Sequence, residues 1–221
     1  MMETWLIQPT APLGPTNFLK YAVLSAYQLG IPLPTIVVLL LFPLVTALIA
    51  AARYLIGLKG FGIFTPAMLS VAFLAIGIVP GVSLFLLILL IATAARLVTL
   101  RLKLHYLARM SLLLWFICLG VLVSLFLFSV SLFPILILIL LAENFIEVQI
   151  GKSFREAANL TLVTFILALG SWALLQWSWL QRVALLQPEF VVLGTFAFNL
   201  LVGRFTGLRL LEYRRFNRLL K

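Results

Sequence analysis

Of 221 residues, 64% are apolar and 10% charged, with a mean hydropathy of +1.23; soluble globular domains run to about 45–50% and about 25%. A soluble domain of this size must still cover itself with polar groups and cannot hide so much apolar surface, so the solvent is lipid. The net charge of +10, from 16 Lys and Arg against 6 Glu and no Asp, fits the loop bias of membrane proteins and not nucleic-acid binding.

Residues 1–32 read as an extracytoplasmic N-terminal segment. They hold no apolar stretch behind a basic start and so do not resemble a cleaved signal peptide. Asn17 to Leu29 reads as a short interfacial helix, and the Pro32-x-Pro34 pair resets the chain before the first span. Residues 33–203 then carry seven apolar runs: Leu33–Ala52, Phe61–Val79, Val82–Thr99, Ser111–Ser129, Ser131–Val148, Ala158–Leu180 and Glu189–Gly203. Each is about 15–23 residues long, close to what a hydrocarbon layer of about 30 Å asks of a helix. Lipid offers the backbone no hydrogen-bond partners, which makes the runs helices, and the short alternating segments of a membrane β-barrel are not visible. The predicted fold class is therefore all-α, a polytopic bundle of seven transmembrane helices.

Charge position sets the orientation. The inner ends of the first, third, fifth and seventh runs, with the connections after them, hold Arg53 and Lys59; Arg96, Arg101, Lys103 and Arg109; Lys152 and Arg155; and Arg204, Arg209, Arg214, Arg215, Arg218 and Lys221. Only Lys20 and Arg182 fall on the other side. The basic side is cytoplasmic by the positive-inside rule, so the N-terminus is predicted outside and the C-terminus inside. Trp172, Trp177 and Trp179, at the outer end of the sixth run, suit the headgroup layer. Residues 204–221 interleave Phe205, Leu208, Phe216, Leu219 and Leu220 with arginines. They read as a basic cytoplasmic tail, either an amphipathic helix on the inner leaflet or a solvated segment.

Two internal matches suggest repeats. Phe42-Pro43 with Phe133-Pro134 gives a parallel three-plus-one-plus-three arrangement; Thr65-Pro66 with Phe133-Pro134 gives an inverted one.

Three groups of residues stand out as candidate sites. Glu143 and Glu147 lie i, i+4 on one helix face near the inner end of the fifth run, with Asn144 beside them. Acidic groups at that depth are costly unless paired, hydrated or protonated, so they serve either function or structural pairing with Arg53, Lys59, Arg96 or Arg204. The second group is Gly57, Lys59, Gly60, Gly62, Thr65 and Pro66, whose glycines make a poor continuous helix. It reads as a broken turn that offers N–H groups and a lysine to an anion, or as a plain re-entrant turn. The third is Gly203, Arg204 and Gly207, a GxxxG pattern that permits close helix packing, with a basic residue for ion pairing.

Other motifs fail on inspection. Gly151-Lys152-Ser153 lacks the earlier glycine of a phosphate-binding loop, because Ile146 stands there. Asn159-Leu160-Thr161 falls at the inner membrane edge, where it is not a glycosylation acceptor. His105 is the only histidine and Cys118 the only cysteine, so neither a metal site nor a Ser-His-Asp arrangement is available. The last run contains no lysine for a retinal Schiff base. No catalytic residue, metal or cofactor is predicted.

The stretch from Arg53 through Gly57-Leu58-Lys59-Gly60-Phe61-Gly62 to Thr65-Pro66 resembles the bacterial seven-transmembrane domain usually fused to an inactive transglutaminase-like domain. So do Phe133-Pro134 with Glu143 and Glu147, the Gly151 to Ala157 stretch, and the closing Gly203-Arg204-Phe205-Thr206-Gly207-Leu208-Arg209-Leu210. A fainter likeness is to the membrane C subunit of poly-γ-glutamate synthases. The resemblance implies a multi-pass protein of the bacterial cytoplasmic (inner) membrane, without catalysis of its own. It further implies an extracytoplasmic transglutaminase-like domain, a cytosolic ATP-grasp ligase as partner, and a role in amino-acid polymer synthesis or export. The short N-terminal segment leaves no room for that domain, which is then expected on a separate chain or is dispensable. The rival reading is a small solute transporter of three-plus-one-plus-three type; against it stand the absent Pro-Gln signature and the few polar groups at midplane.

Overall fold

A backbone surrounded by lipid must satisfy its polar groups within its own segment, and among the described residues every regular element is helical. The computed structural model describes residues 17–102, 104–126, 132–151, 153–205, 207 and 210. Most of the predicted basic tail over 204–221 lies outside them, as do Lys103 and Lys152. The chain divides into two compact units, Met1–Lys59 with Gly170–Lys221, and Gly60–Leu169.

In the first unit, α1 (Phe18–Gln28) is the short helix expected between Asn17 and Leu29. Next comes α2 (Leu33–Ala51), which buries a stripe including Val37, Leu41, Val45 and Ile49 and exposes Leu39 on the opposite face. Pro43 lies inside it, with Thr46 Oγ1 donating to the Pro43 carbonyl at 2.9 Å. The helix loosens into one π-turn over Ala52–Ile56 and stops at Gly57, whose φ of 91° closes the end as a left-handed cap. At the other end of the sequence this unit holds α8 (Ser178–Leu186) and α9 (Pro188–Gly203). Both α1 and α2 pack on α8 and α9. The Lys20 N–H, in the first turn of α1, donates to Glu189 Oε1 at 2.9 Å. The carboxylate of one helix start thus caps another, meeting an orphan donor at the positive end of the helix dipole.

The second unit is built on α3 (Phe64–Ile76), α4 (Ile78–Leu100), α5 (Tyr106–Ser124), α6 (Leu132–Gly151) and the larger part of α7 (Phe154–Gln176). Helix α4 packs against α3, α5 and α6. Its inner face meets the others in an aromatic cluster: Phe85 stacks on Phe165 at 5.5 Å, and Phe73 meets both rings edge-on. Gly81 admits Phe73, since a Cβ there would stand 2.7 Å from the ring.

By length and composition, α4, α5, α6, α7 and α2 with its π-turn can each cross a membrane. No more than 50% of the apolar window of any of them is buried within the chain, leaving the rest to lipid. The two remaining predicted runs take other forms. The second, expected over Phe61–Val79, is helical only over Phe64–Ile76, 13 residues or about 20 Å. Its start is delayed by Gly60 and Gly62, and it ends at Gly77, with φ 96°. The third run accordingly begins early, at Ile78, and Pro80 occupies the third helical position, where its missing N–H costs nothing.

The sixth run, expected over Ala158–Leu180, is shifted towards the N-terminus. Ser153 starts α7 early by accepting the Glu156 N–H at 3.2 Å, as a capping residue does. Trp177 ends it, and buried Gln181 donates to the Leu175 carbonyl at 2.7 Å, closing the helix end. The short helix α8 follows and bends by 106° into α9, so the two form one broken span or a re-entrant loop.

Candidate functional site

The sequence marked the α6 carboxylates first. Glu143 and Glu147 are both exposed on that helix, and among the described residues neither is hydrogen-bonded or ion-paired. They stand eight and four residues before the helix end at Gly151, about 12 and 6 Å along the axis. Asn144 turns the other way. With Thr65, Phe64 and Met68 of α3 and Ile137, Leu140 and Leu141 of α6, it lines a cavity of about 50 Å³. The packing of α3 on α6 therefore brings two of the sequence-marked groups together through Asn144 and Thr65, while the two carboxylates face out of the unit.

The glycine-rich segment is tied down by its own chain. The Gly57 and Leu58 amides both donate to the Ala52 carbonyl, at 3.2 and 3.4 Å. The buried Phe61 amide donates to Thr164 Oγ1 of α7 at 2.8 Å. Gly60 makes that approach possible, because a Cβ on it would lie 2.9 Å from the same oxygen. Phe61 then packs with Phe145 and Ala157. Lys59 and Gly62 are exposed, while Thr65 and Pro66 form the first turn of α3. Intrachain bonds thus occupy the Gly57, Leu58 and Phe61 amides, and Gly62 is the solvent- or lipid-facing glycine of the segment.

A third polar cluster had not been singled out. Gln149 of α6, fully buried, donates through Nε2 to Thr93 Oγ1 at 3.3 Å and accepts from Arg96 Nη1 at 3.4 Å. Arg96 Nε is buried with no hydrogen-bond partner. Arg96 is one of the cations at the depth of Glu143 and Glu147, but its bond is to the neutral amide two residues beyond Glu147. The signal was present in the sequence: Arg96 lies inside a predicted span, so it needed an acceptor at the same depth.

A protein family described as seven transmembrane helices usually fused to an inactive transglutaminase matches residues 16–220. The chain belongs to this family. No curated protein and no solved structure matches it. Like the family as described, the chain is a multi-pass all-α membrane protein, and the first and last motifs read from its sequence both fall within the matched region.

Within this family member, the remaining marked residues stand apart from the α6 region in sequence. Gly203 is the last residue of α9, exposed, and a Cβ added there would meet nothing. Arg204 is exposed, and its N–H bonds the Leu200 carbonyl at 3.1 Å. Gly207 is exposed beside the Phe205 ring. The pattern is open to a neighbouring helix, and its glycines pack on no other helix among the described residues. Among those residues there is also no group of three or more His, Cys, Asp or Glu side chains that could hold a metal ion.

Proposed function

We propose that this chain is the membrane component of an assembly whose chemistry is done outside the bilayer. A transglutaminase-like domain, on this chain or another, would work on the extracytoplasmic side, and a cytosolic ATP-grasp ligase would dock on the basic inner face. The product handled would be an amino-acid polymer or peptide, either during its synthesis or during its export. The orientation behind this reading is the predicted one, with seven crossings and the C-terminus in the cytoplasm, and it rests on the distribution of Lys and Arg.

The observation that carries the proposal is the exposed pair Glu143 and Glu147 on an apolar helix, unpartnered among the described residues. Two carboxylates near a membrane surface, with no cation paired to them among the described residues, call for a partner. Family membership supports the extramembrane half of the reading, since the family is usually fused to a transglutaminase.

The test is to isolate the tagged chain from its host in mild detergent, identify what accompanies it by mass spectrometry, and repeat this with Glu143→Ala/Glu147→Ala at matched protein levels. Recovery of a ligase or transglutaminase-like chain, with loss on the double substitution, is expected. A chain recovered alone that drives solute flux in liposomes would replace this reading with the transporter.

A further inference from the structure

An apolar groove of about 690 Å³ runs along α4 and α7 of the second unit, lined also by Phe145 of α6. On α4 it runs from Phe85 to Leu97, and on α7 from Phe165 back to Phe154. The stacking of Phe85 on Phe165 fixes those two residues at one end, so Leu97 and Phe154 share the other. Twelve residue steps on α4 and eleven on α7 make the groove about 17–18 Å long. That matches one leaflet, half of a hydrocarbon core of about 30 Å. The Leu97 end lies where both helices reach the membrane surface, since α4 stops at Leu100 and α7 starts at Phe154. At the other end Phe165 is the middle residue of α7, and Phe85 lies one turn past the middle of α4.

Charge is concentrated at the surface end. Thr93, on the groove wall, belongs to the cluster that holds Arg96, and Arg96 lies between the lining residues Ala94 and Leu97. Its guanidinium has five donors, yet among the described residues it makes one long bond to a neutral amide, and Nε is buried without a partner. Arg101 in the turn after α4, and Arg155 next to Phe154, are exposed at the same end; Glu156 is the acidic residue on that turn. A buried-edge guanidinium with no counter-anion in its cluster is costly unless an anion completes it.

We propose that this groove binds one acyl chain of an anionic phospholipid, with the lipid phosphate over Arg96. The groove supplies the apolar contact and the leaflet-length fit, and Arg96 supplies selection for a negative headgroup. Such a lipid would complete the polar cluster of Thr93, Arg96 and Gln149 in the membrane-embedded protein.

The experiment uses the full chain in detergent, stripped of lipid and offered phosphatidylglycerol or phosphatidylcholine with identical acyl chains. Retained lipid is counted by native mass spectrometry, and melting is followed in parallel. Wild type should retain phosphatidylglycerol about tenfold better than phosphatidylcholine, as expected for one charge-assisted contact. Arg96→Gln should bring the ratio to about one, and Arg96→Lys should restore most of the preference. Ala94→Trp, at an exposed groove-lining position, should lower retention of both lipids. Equal retention of the two lipids by wild type would overturn the proposal. So would an unchanged preference in Arg96→Gln, unchanged retention in Ala94→Trp, or stabilisation by inorganic phosphate as large as that by phosphatidylglycerol. A lipid-free dimer that Ala94→Trp converts to monomer would assign the groove to a second copy and also overturn it.

Discussion

Replacing Gln149 by Leu tests the buried polar cluster directly. The side chain is fully buried, its two bonds are 3.3 and 3.4 Å long, and only one of them matters energetically. Thr93 Oγ1 also donates to the Leu89 carbonyl at 2.8 Å, so it remains bonded without the amide. Arg96 loses the acceptor it has in the cluster. A hydrogen bond to a charged group is worth about 1.5–3 kcal/mol in soluble proteins, but interhelical polar pairs in membranes average about 0.6 and reach about 1.7. Distances this close to the limit of a hydrogen bond favour the lower range. The expected cost is about 1 kcal/mol, or roughly 2–4 °C in melting temperature for a protein of this size.

The double-mutant cycle separates the bond from the volume change. Arg96→Leu alone strands the Gln149 carbonyl oxygen and should cost a similar amount. Arg96→Leu/Gln149→Leu makes both sides apolar, and its cost should fall short of the sum of the singles by about 1 kcal/mol. The assay is thermal unfolding in lipid-free detergent, followed by circular dichroism. If the two substitutions add within about 0.3 kcal/mol, the guanidinium and the amide are not energetically joined and the cluster has no standing as a unit.

Three further outcomes follow from the geometry. Thr164→Val should destabilise by about 1–2 kcal/mol because it strands the buried Phe61 N–H; Thr164→Ser, which keeps the oxygen, should cost less, as read by the same melts. Glu189→Ala should cost about 1 kcal/mol by uncapping α1 and should raise amide exchange at Lys20, whereas Glu189→Gln should largely preserve protection. In a Cys118→Ser background, an impermeant maleimide should label Val79→Cys from outside and Arg101→Cys only from the cytoplasm; labelling of both from one face would show that α4 does not cross as oriented.

The long helices were legible because apolar length alone defines them. Helices α2, α4, α5 and α6 fall where hydropathy placed the spans, and α1 falls between its expected bounds. What escaped were ends fixed by distant side chains. The Phe61 amide is held by a threonine 103 positions away, and the sequence gives no hint of that pairing. The end of α7 depends on Gln181 folding back to Leu175, which turns a continuous apolar run into a helix, a break and a second helix. Gln149 was missed for a different reason. A neutral amide carries no charge to mark it within the apolar run of α6, whereas Glu143 and Glu147 beside it do.

The polar side chains divide by whether the backbone uses them. Ser153, Thr164, Gln181 and Glu189 each bond a main-chain group at a helix end or turn. Lipid cannot supply those bonds, so structure alone is reason enough for these four residues. Different from these are Arg96, whose side-chain bond to Gln149 is long, and the exposed carboxylates Glu143 and Glu147, which have none among the described residues. All three lie towards the ends of α4 and α6 joined by the Arg96–Gln149 bond, within the same unit. Among the described residues the unit supplies no counter-ion to any of the three, and the proposals above assign each a partner from outside it. A lipid phosphate for the arginine and a protein or peptide partner for the carboxylates make two separable claims: Arg96→Gln should alter lipid selection without releasing a co-purifying protein, and Glu143→Ala/Glu147→Ala should do the reverse.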